Sequence, residues 1–275
     1  MIEFYKLSGS GNDFILIDNM DGSLQIGDLG AFAKSVCARR ISVGADGLII
    51  LEPSDKVDFR WRFFNADGSE AEMCGNGGRC AARFAFLRKI APRGMSFETL
   101  AGIIDAEVKE NSVKIRLSGP HSLKMEDSIR VNGETLGVHS INTGVPHVVH
   151  FVKDLKNFDV FATGRAIRFH DHYQPAGTNV NFASVRDAHS IDVRTYERGV
   201  EDETLACGTG SVASALIASS KGLVDSPVDI HVQSKETLTI YFQKTGDDFS
   251  DVYFEGKVTV VYQGSLWEEA WRKGE

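Results

Sequence analysis

The sequence predicts an α+β chain of two pseudo-symmetric domains, each a curled, mostly antiparallel sheet wrapped around a central helix. Three observations carry that expectation. Landmarks recur at one offset: Gly11 and Gly144, Gly44 and Gly177, and Cys74-Gly75-Asn76-Gly77 and Cys207-Gly208-Thr209-Gly210 each stand 133 positions apart. Strand-like runs far outnumber helical ones and do not alternate with them, which separates α+β from a doubly wound parallel sheet. Each Cys-Gly-x-Gly run lies just ahead of an alanine-rich stretch that reads as a helix. A chain of 275 residues has room for two domains of ordinary size. Gly119-Pro120 is the best boundary, giving domains 1–118 and 119–256.

In order, Ile2 to Leu7 reads as a strand, Ser8 to Gly11 as a glycine turn, and Phe14 to Ile17 as a second apolar strand. Gly44 to Gly47 is a turn before the short buried strand Leu48 to Leu51. From Val57 to Phe64, apolar and charged residues alternate with a period of two, the mark of a half-buried strand. Asn65-Ala66-Asp67-Gly68 is a turn, and Gly78 to Lys89 a helix that Pro92-Arg93-Gly94 closes. Strands follow at Met95 to Thr99, Ile103 to Lys109 and Ser112 to Leu117. The second half repeats the order, with strands at Val138 to Thr143, His147 to Val152, Asn179 to Val185 and Ile191 to Tyr196. A helix follows from Val212 to Ser220, capped by Gly222. Val228 to Val232, Thr237 to Phe242 and Val252 to Phe254 close the sheet, and Lys257 to Tyr262 is strand-like again.

At 42% hydrophobic and 25% charged, the composition is that of an ordinary soluble protein, and the net charge of −8 argues against nucleic acid or an anionic membrane as partner. The first residues lack the basic start and apolar core of a signal peptide, and no apolar run approaches the ~18 residues of a membrane span. Four cysteines make no disulfide scaffold, so a reducing cytoplasm is the expected location.

Two of those cysteines suit one chemistry. Removing an α-proton next to a carboxylate needs a competent base and stabilisation of the developing charge. A thiol of pKa about 8.5 gains thiolate character at a helix N-terminus. Glycines behind it let the backbone approach closely and leave N–H groups for a carboxylate. Duplicated halves would bring Cys74 and Cys207 to one cleft, where one removes a proton and the other delivers one to the opposite face. That is the chemistry of a racemase or epimerase. Cys37 and Cys80 lack the glycine context and read as packing residues. His170-Asp171-His172 reads as a solvated loop rather than a metal site, since no third ligand stands out. Ser8-Gly9-Ser10-Gly11 has no following helix and is no nucleophile elbow. No phosphate loop, dinucleotide fingerprint or pyridoxal lysine stands out, so neither cofactor nor metal is expected.

Eight motifs carry a family resemblance: Gly11-Asn12-Asp13-Phe14, Gly44-Ala45-Asp46-Gly47, Asn65-Ala66-Asp67-Gly68, Met73-Cys74-Gly75-Asn76-Gly77, Pro146-His147, Asn179-Val180-Asn181-Phe182, Tyr196-Glu197-Arg198-Gly199 and Ala206-Cys207-Gly208-Thr209-Gly210. Through them, essentially the whole chain resembles the diaminopimelate epimerase family. The Cys-Gly-x-Gly pair alone is shared with proline racemase-like proteins, whereas Asn-Ala-Asp-Gly and Tyr-Glu-Arg-Gly point to this family. The resemblance implies Cys74 and Cys207 as acid and base, without a cofactor. It implies the amides of Gly75, Asn76, Gly208 and Thr209 as a carboxylate cradle. Asn12, Asn65, Asn179 and Arg198 would recognise the amino groups and distal carboxylate of a small amino-acid substrate, with Glu197 at the binding site. His147 and Glu197 would support the site. The resemblance further implies a homodimer, a role in lysine synthesis, and a C-terminal segment, 257–275, returning to the first domain. Two departures bear on substrate identity: Val145 replaces an asparagine that many members carry before Pro-His, and Gly47 replaces a glutamine found in some.

Competing readings are a racemase of the same superfamily with another side-chain pocket, a thiol redox protein, and a non-catalytic amino-acid-binding protein. The lack of Cys-x-x-Cys counts against the redox reading.

Overall fold

The computed structural model describes residues 1–117 and 119–272. The chain folds into two compact units, Met1–Ile115 with the segment from Gly256 onward, and Arg116–Glu255. The expected boundary at position 118, and the end of the returning segment at 273–275, lie outside the described residues.

The first unit opens with a hairpin of β1 (Ile2–Gly9) and β2 (Asn12–Asp18). Its two turn residues, Ser10 and Gly11, both have positive φ (54° and 89°), the conformation that matches the twist of a two-residue hairpin. Helix α1 (Leu29–Val36) follows, capped by Asp28, whose carboxylate accepts from the Ala31 N–H. Next come β3 (Gly47–Glu52) and β4 (Phe59–Asn65). On β4, Phe59, Trp61 and Phe63 turn inward, while Arg60 and Arg62 turn outward to Glu52 and Glu70. Helix α2 (Gly75–Leu87) leads to β5 (Gly94–Thr99), β6 (Gly102–Lys109) and β7 (Ser112–Arg116).

The second unit contains β8 (His121–Val131), β9 (Glu134–Asn142), β10 (Pro146–Phe151), α3 (Val160–Arg168), β11 (Asn179–Asp187) and β12 (Ser190–Glu197). The short β13 (Asp202–Thr204), α4 (Gly208–Ser220), β14 (Val228–His231), β15 (Thr237–Thr245) and β16 (Asp248–Lys257) complete it. Finally, β17 (Thr259–Leu266) pairs antiparallel with β1, from Ile2 opposite Leu266 to Ser8 opposite Thr259.

The two units share one topology. In the first, the order is β17-β1-β2-β3-β4-β5-β6-β7; in the second it is β8-β9-β10-β11-β12-β14-β15-β16, with β13 added on β12. The parallel pairs fall at equivalent places, β2–β3 and β4–β5 against β10–β11 and β12–β14, and the remaining pairs are antiparallel. The fold is thus α+β with mixed, mostly antiparallel sheets.

Each unit keeps one helix at its centre. Helix α2 packs on β1, β2, β3 and β6; α4 packs on β9, β10, β11, β12, β14 and β15. Helix α4 is apolar or small on every side and nearly all of it is buried, as expected of a helix with no solvent face. Two inward serines satisfy themselves: Ser211 and Ser214 donate to the carbonyls of Cys207 and Gly210. Both helices end in the same double cap. Lys89 and Gly222 take the left-handed conformation (φ 61° and 68°) while Ile90 and Leu223 donate back to Ala85 and Ala218.

The structure corrects several expected elements. Helices α2 and α4 begin at Gly75 and Gly208 rather than at 78 and 212, because each cysteine serves as the N-cap. Helix α2 ends at the Arg88 cap, before Pro92. Helices α1 and α3 and strands β8 and β13 were not among the expected elements.

Candidate active site

Cys74 and Cys207 occupy equivalent positions. Both have extended backbones (φ −143°, ψ 118° and φ −115°, ψ 110°) and both are N-caps of thirteen-residue helices. The glycine-rich first turn of each helix supplies the amides of Gly75 and Asn76, and of Gly208 and Thr209. Helix macrodipole and first-turn N–H groups make such a place favourable for a thiolate or a carboxylate. The sulfurs differ in their contacts. Cys74 Sγ accepts from the Gly77 N–H at 3.4 Å. Cys207 Sγ lies 3.6 Å from Thr209 Oγ1. Cys74 is half-buried and Cys207 is buried.

In the first unit, Asn76 and Asn12 are joined: the Asn76 amide donates to Asn12 Oδ1 at 2.7 Å. The buried Arg79 donates to Asn76 Oδ1 (2.6 Å), Ser10 Oγ (2.8 Å) and the Lys257 carbonyl (2.9 Å). Asn12 in turn donates to Asp46, which is paired with Arg39. Asp13 completes this network through Arg39 and Lys6. Burial works against the Asp13 carboxylate, but the Arg39 and Lys6 hydrogen bonds win and hold its pKa below the usual range. Asn65 is exposed at the end of β4 and donates to Ser69 Oγ. Opposite it, Gly47 has no room for a side chain. A Cβ there would approach Phe63 to 2.6 Å and the Phe64 carbonyl to 2.7 Å, so no larger residue fits at this position without moving β4.

In the second unit, His147 is almost fully buried, with Nε2 2.9 Å from Thr209 Oγ1 and Nδ1 3.1 Å from the Asn181 amide nitrogen. Burial first, then the positive charge of Arg198, hold its pKa down to about 3, so the ring is neutral at physiological pH. Asn179 braces the neighbouring loop: it donates to the Pro146 carbonyl and accepts from the Arg198 N–H. One arm of the Arg198 guanidinium donates to the Ala176 carbonyl at 2.7 Å. Burial pushes the Glu197 carboxyl up, against the opposing effect of the Thr204 hydroxyl. Within each unit, the structure therefore brings together most of the expected residues: Asn12 with Asn76, and Cys207, Thr209, His147, Asn179 and Arg198. Asn65 makes no bond to the Asn12–Asn76 group.

The remaining singled-out residues are accounted for locally. Cys37 lies in the core with Phe32 and Val36, where burial pushes its thiol up to about 12, and Cys80 is fully buried on α2. His170 caps a short turn by accepting from the His172 N–H, and His172 pairs with Asp127. Sequence reasoning gave no role to Asn181, Thr195, Arg79 or the Lys6–Asp13–Arg39–Asp46 group. A polar residue at an inward strand position, such as Asn181 between Val180 and Phe182, was the available signal.

Comparison with known proteins places the fold first. A PhzF-family phenazine biosynthesis protein from Bacillus anthracis superposes with a TM-score of 0.72 at 16% identity, covering 97% of this chain and 99% of that one. A probable proline racemase from Agrobacterium radiobacter does so with a TM-score of 0.71 at 10% identity, covering 98% and 93%. The chain thus has the duplicated α+β fold of these proteins. Sequence resolves the family. The diaminopimelate epimerase profile matches residues 4–123 and 139–261. Diaminopimelate epimerases from Aquifex aeolicus and Chlorobaculum tepidum are 49% and 42% identical, covering 98% and 94% of this chain and 99% of each relative. The chain belongs to the diaminopimelate epimerase family and is an enzyme of the isomerase class. No described helix is long and apolar enough to cross a membrane.

Proposed function

We propose that this chain interconverts L,L- and meso-diaminopimelate by two-base proton transfer at one α-carbon, without a cofactor. The observation that carries the proposal is the equivalent capping of α2 and α4 by Cys74 and Cys207, in a chain of this family. One cysteine, as thiolate, takes the α-proton and becomes a thiol. The electron pair left on carbon is spread into the carboxylate, which the amides of Gly75, Asn76, Gly208 and Thr209 stabilise as its charge grows. The other cysteine, as thiol, gives its proton to the opposite face and becomes the thiolate. No proton or electron is gained or lost overall. Arg198 binds the distal carboxylate with the arm not held by Ala176, and Asn12, Asn65 and Asn179 serve the amino groups. His147 and Glu197 support this arrangement. The chain acts as a cytoplasmic homodimer in lysine synthesis.

Proton NMR of the reduced protein with L,L-diaminopimelate in D2O tests this. Loss of the α-proton signal with appearance of the meso isomer is expected. Val145 and Gly47 favour one second reading, a racemase of another amino acid. Exchange with proline or a simple L-amino acid, but not with diaminopimelate, would select it. No exchange with any of them, from protein with titratable thiols, would overturn both.

A further inference from the structure

The two thiols stand on unlike supports. Sheet register aligns the units: Phe14 faces Gly47 and Ile49 faces Phe63 in the first, where His147 faces Asn179 and Asn181 faces Thr195 in the second. All of Phe14, Ile49, Phe63, His147, Asn181 and Thr195 are buried. The third residue after each cysteine touches this set. A Cβ on Gly77 would meet Ile49 Cδ1 at 3.3 Å, and one on Gly210 would overlap Asn181 Oδ1. An apolar cluster therefore backs the Cys74 helix start, and a polar one backs that of Cys207.

The hydrogen bonds of the polar cluster have one consistent direction. The Val148 carbonyl can only accept, so the Asn181 atom 3.0 Å from it is the amide nitrogen. Thr195 Oγ1 donates to Asn181 Oδ1 at 2.9 Å, which agrees. The second N–H of that amide then donates to His147 Nδ1 at 3.1 Å. An accepting Nδ1 carries no proton, so the neutral ring carries it on Nε2. Nε2–H donates to Thr209 Oγ1 at 2.9 Å, which leaves the hydroxyl's own proton available to Cys207 Sγ, 3.6 Å away. Two ionisable groups lie at the end of β12, Glu197 and the residue after it, Arg198. Arg198 disfavours protonation of the ring, and Glu197 is itself held toward its neutral form by burial.

We infer that Asn181 is a positioning residue that, by fixing the His147 tautomer and hence the Thr209 hydroxyl, makes Cys207 the thiolate of the resting enzyme. The inference rests on the two-base reading in one respect only: the resting proton of the pair then sits on Cys74. His147 on this account is not a proton carrier but a fixed donor. The apolar side chains at the corresponding places in the first unit cannot form such a relay.

Alkylation by iodoacetamide across pH, with each thiol followed by peptide mass, tests the inference. The pH midpoint is compared between thiols, because Cys74 is the more exposed. Cys207 is expected to react with the lower midpoint. Thr209→Val should slow Cys207 at pH 7 by about tenfold, the effect of one hydrogen bond to a charged group, and leave Cys74 unchanged. Asn181→Leu should slow it less and give mixed ring tautomers in nitrogen NMR, where the wild type shows the proton of His147 on Nε2. The wild-type spectrum needs no variant to fold. A proton on Nδ1, or an unchanged Cys207 midpoint in Thr209→Val, overturns the inference. Expected alkylation with no α-proton exchange on any amino acid would leave the relay standing and remove the epimerase reading. Normal exchange with Cys207 no more acidic than Cys74 would remove the relay alone.

Discussion

Helices α2 and α4 are the same device built from different neighbours. Each has thirteen residues, begins after a cysteine N-cap, is surrounded by strands of equivalent order, and ends in the same double cap. Around α2 the polar contacts run sideways, from Asn76 to Asn12, Asp46 and Arg79. Around α4 they run beneath the helix start, from Thr209 through His147 to Asn181 and Thr195. Duplication fixed the backbone geometry, in which the cap, glycine and helix axis are all shared. The side chains that meet that geometry were free to diverge, and the divergence is what sets two chemically identical thiols apart.

The largest expected effect bears on what the helices share. Cys74→Ala and Cys207→Ala should each reduce epimerisation by about 10²–10⁴-fold, the usual contribution of a general acid–base group. Steady-state rates with either isomer check this, and retention of activity in one variant would break the equivalence of the two caps.

The next effect bears on what differs. The pKa of His147 is lowered to about 3 in the folded chain, while an unfolded histidine titrates near 6.5. The unfolded chain therefore binds the extra proton first. The stability tied to the neutral ring is complete above about pH 6.5 and is lost as pH falls toward 3. Within that window His147→Gln should flatten the decline by about 1.4 kcal/mol per pH unit, the value of one proton. Urea unfolding at several pH values measures it. Phe14, at the equivalent place, carries no such slope.

A third comparison concerns the glycines. Gly210→Ala should destabilise by about 2 kcal/mol, because the methyl displaces the buried Asn181 amide. Gly77→Ala should stay within about 1 kcal/mol, because the methyl presses on the flexible end of Ile49 alone, meets Cys74 Cβ and the Trp61 ring at an ordinary 3.5 Å, and alanine favours helix. Equal losses in thermal unfolding would mean that both sites are equally tight. The smallest effect lies at the far ends. Lys89→Gly should stabilise by about 0.5–1 kcal/mol and Gly222→Lys cost a similar amount, since both positions are left-handed.

Much of this was legible in the sequence. The shared offset announced the duplication, and period-two runs such as Val57 to Phe64 marked strands near their observed limits. The helix starts were placed late because cysteine is not among the common capping residues, whereas here its extended backbone ends the loop. Helices α1 and α3 went unread although Asp28 and Asp159 cap them in the usual way. Both are short, and each buries only one narrow stripe. Strand β8 is not legible, although Asn132-Gly133 is a strong hairpin signal, because its residues are mostly polar and only half covered. Among the site residues, single motifs identified those next to the cysteines. Asn181 acts through His147 and Thr209, contacts that only the pairing of β10 with β11 and the packing of α4 create.

The pairing of β17 with β1 has a consequence for how the chain is made. The second unit is one continuous segment and can close its sheet as soon as residue 255 has left the ribosome. The first unit, although synthesised first, must hold the edge of β1 open until Leu266 arrives to lie beside Ile2. The usual N-terminal-first sequence of domain folding is thereby reversed for completion, and until then β1 presents an unpaired edge on which another strand can pair.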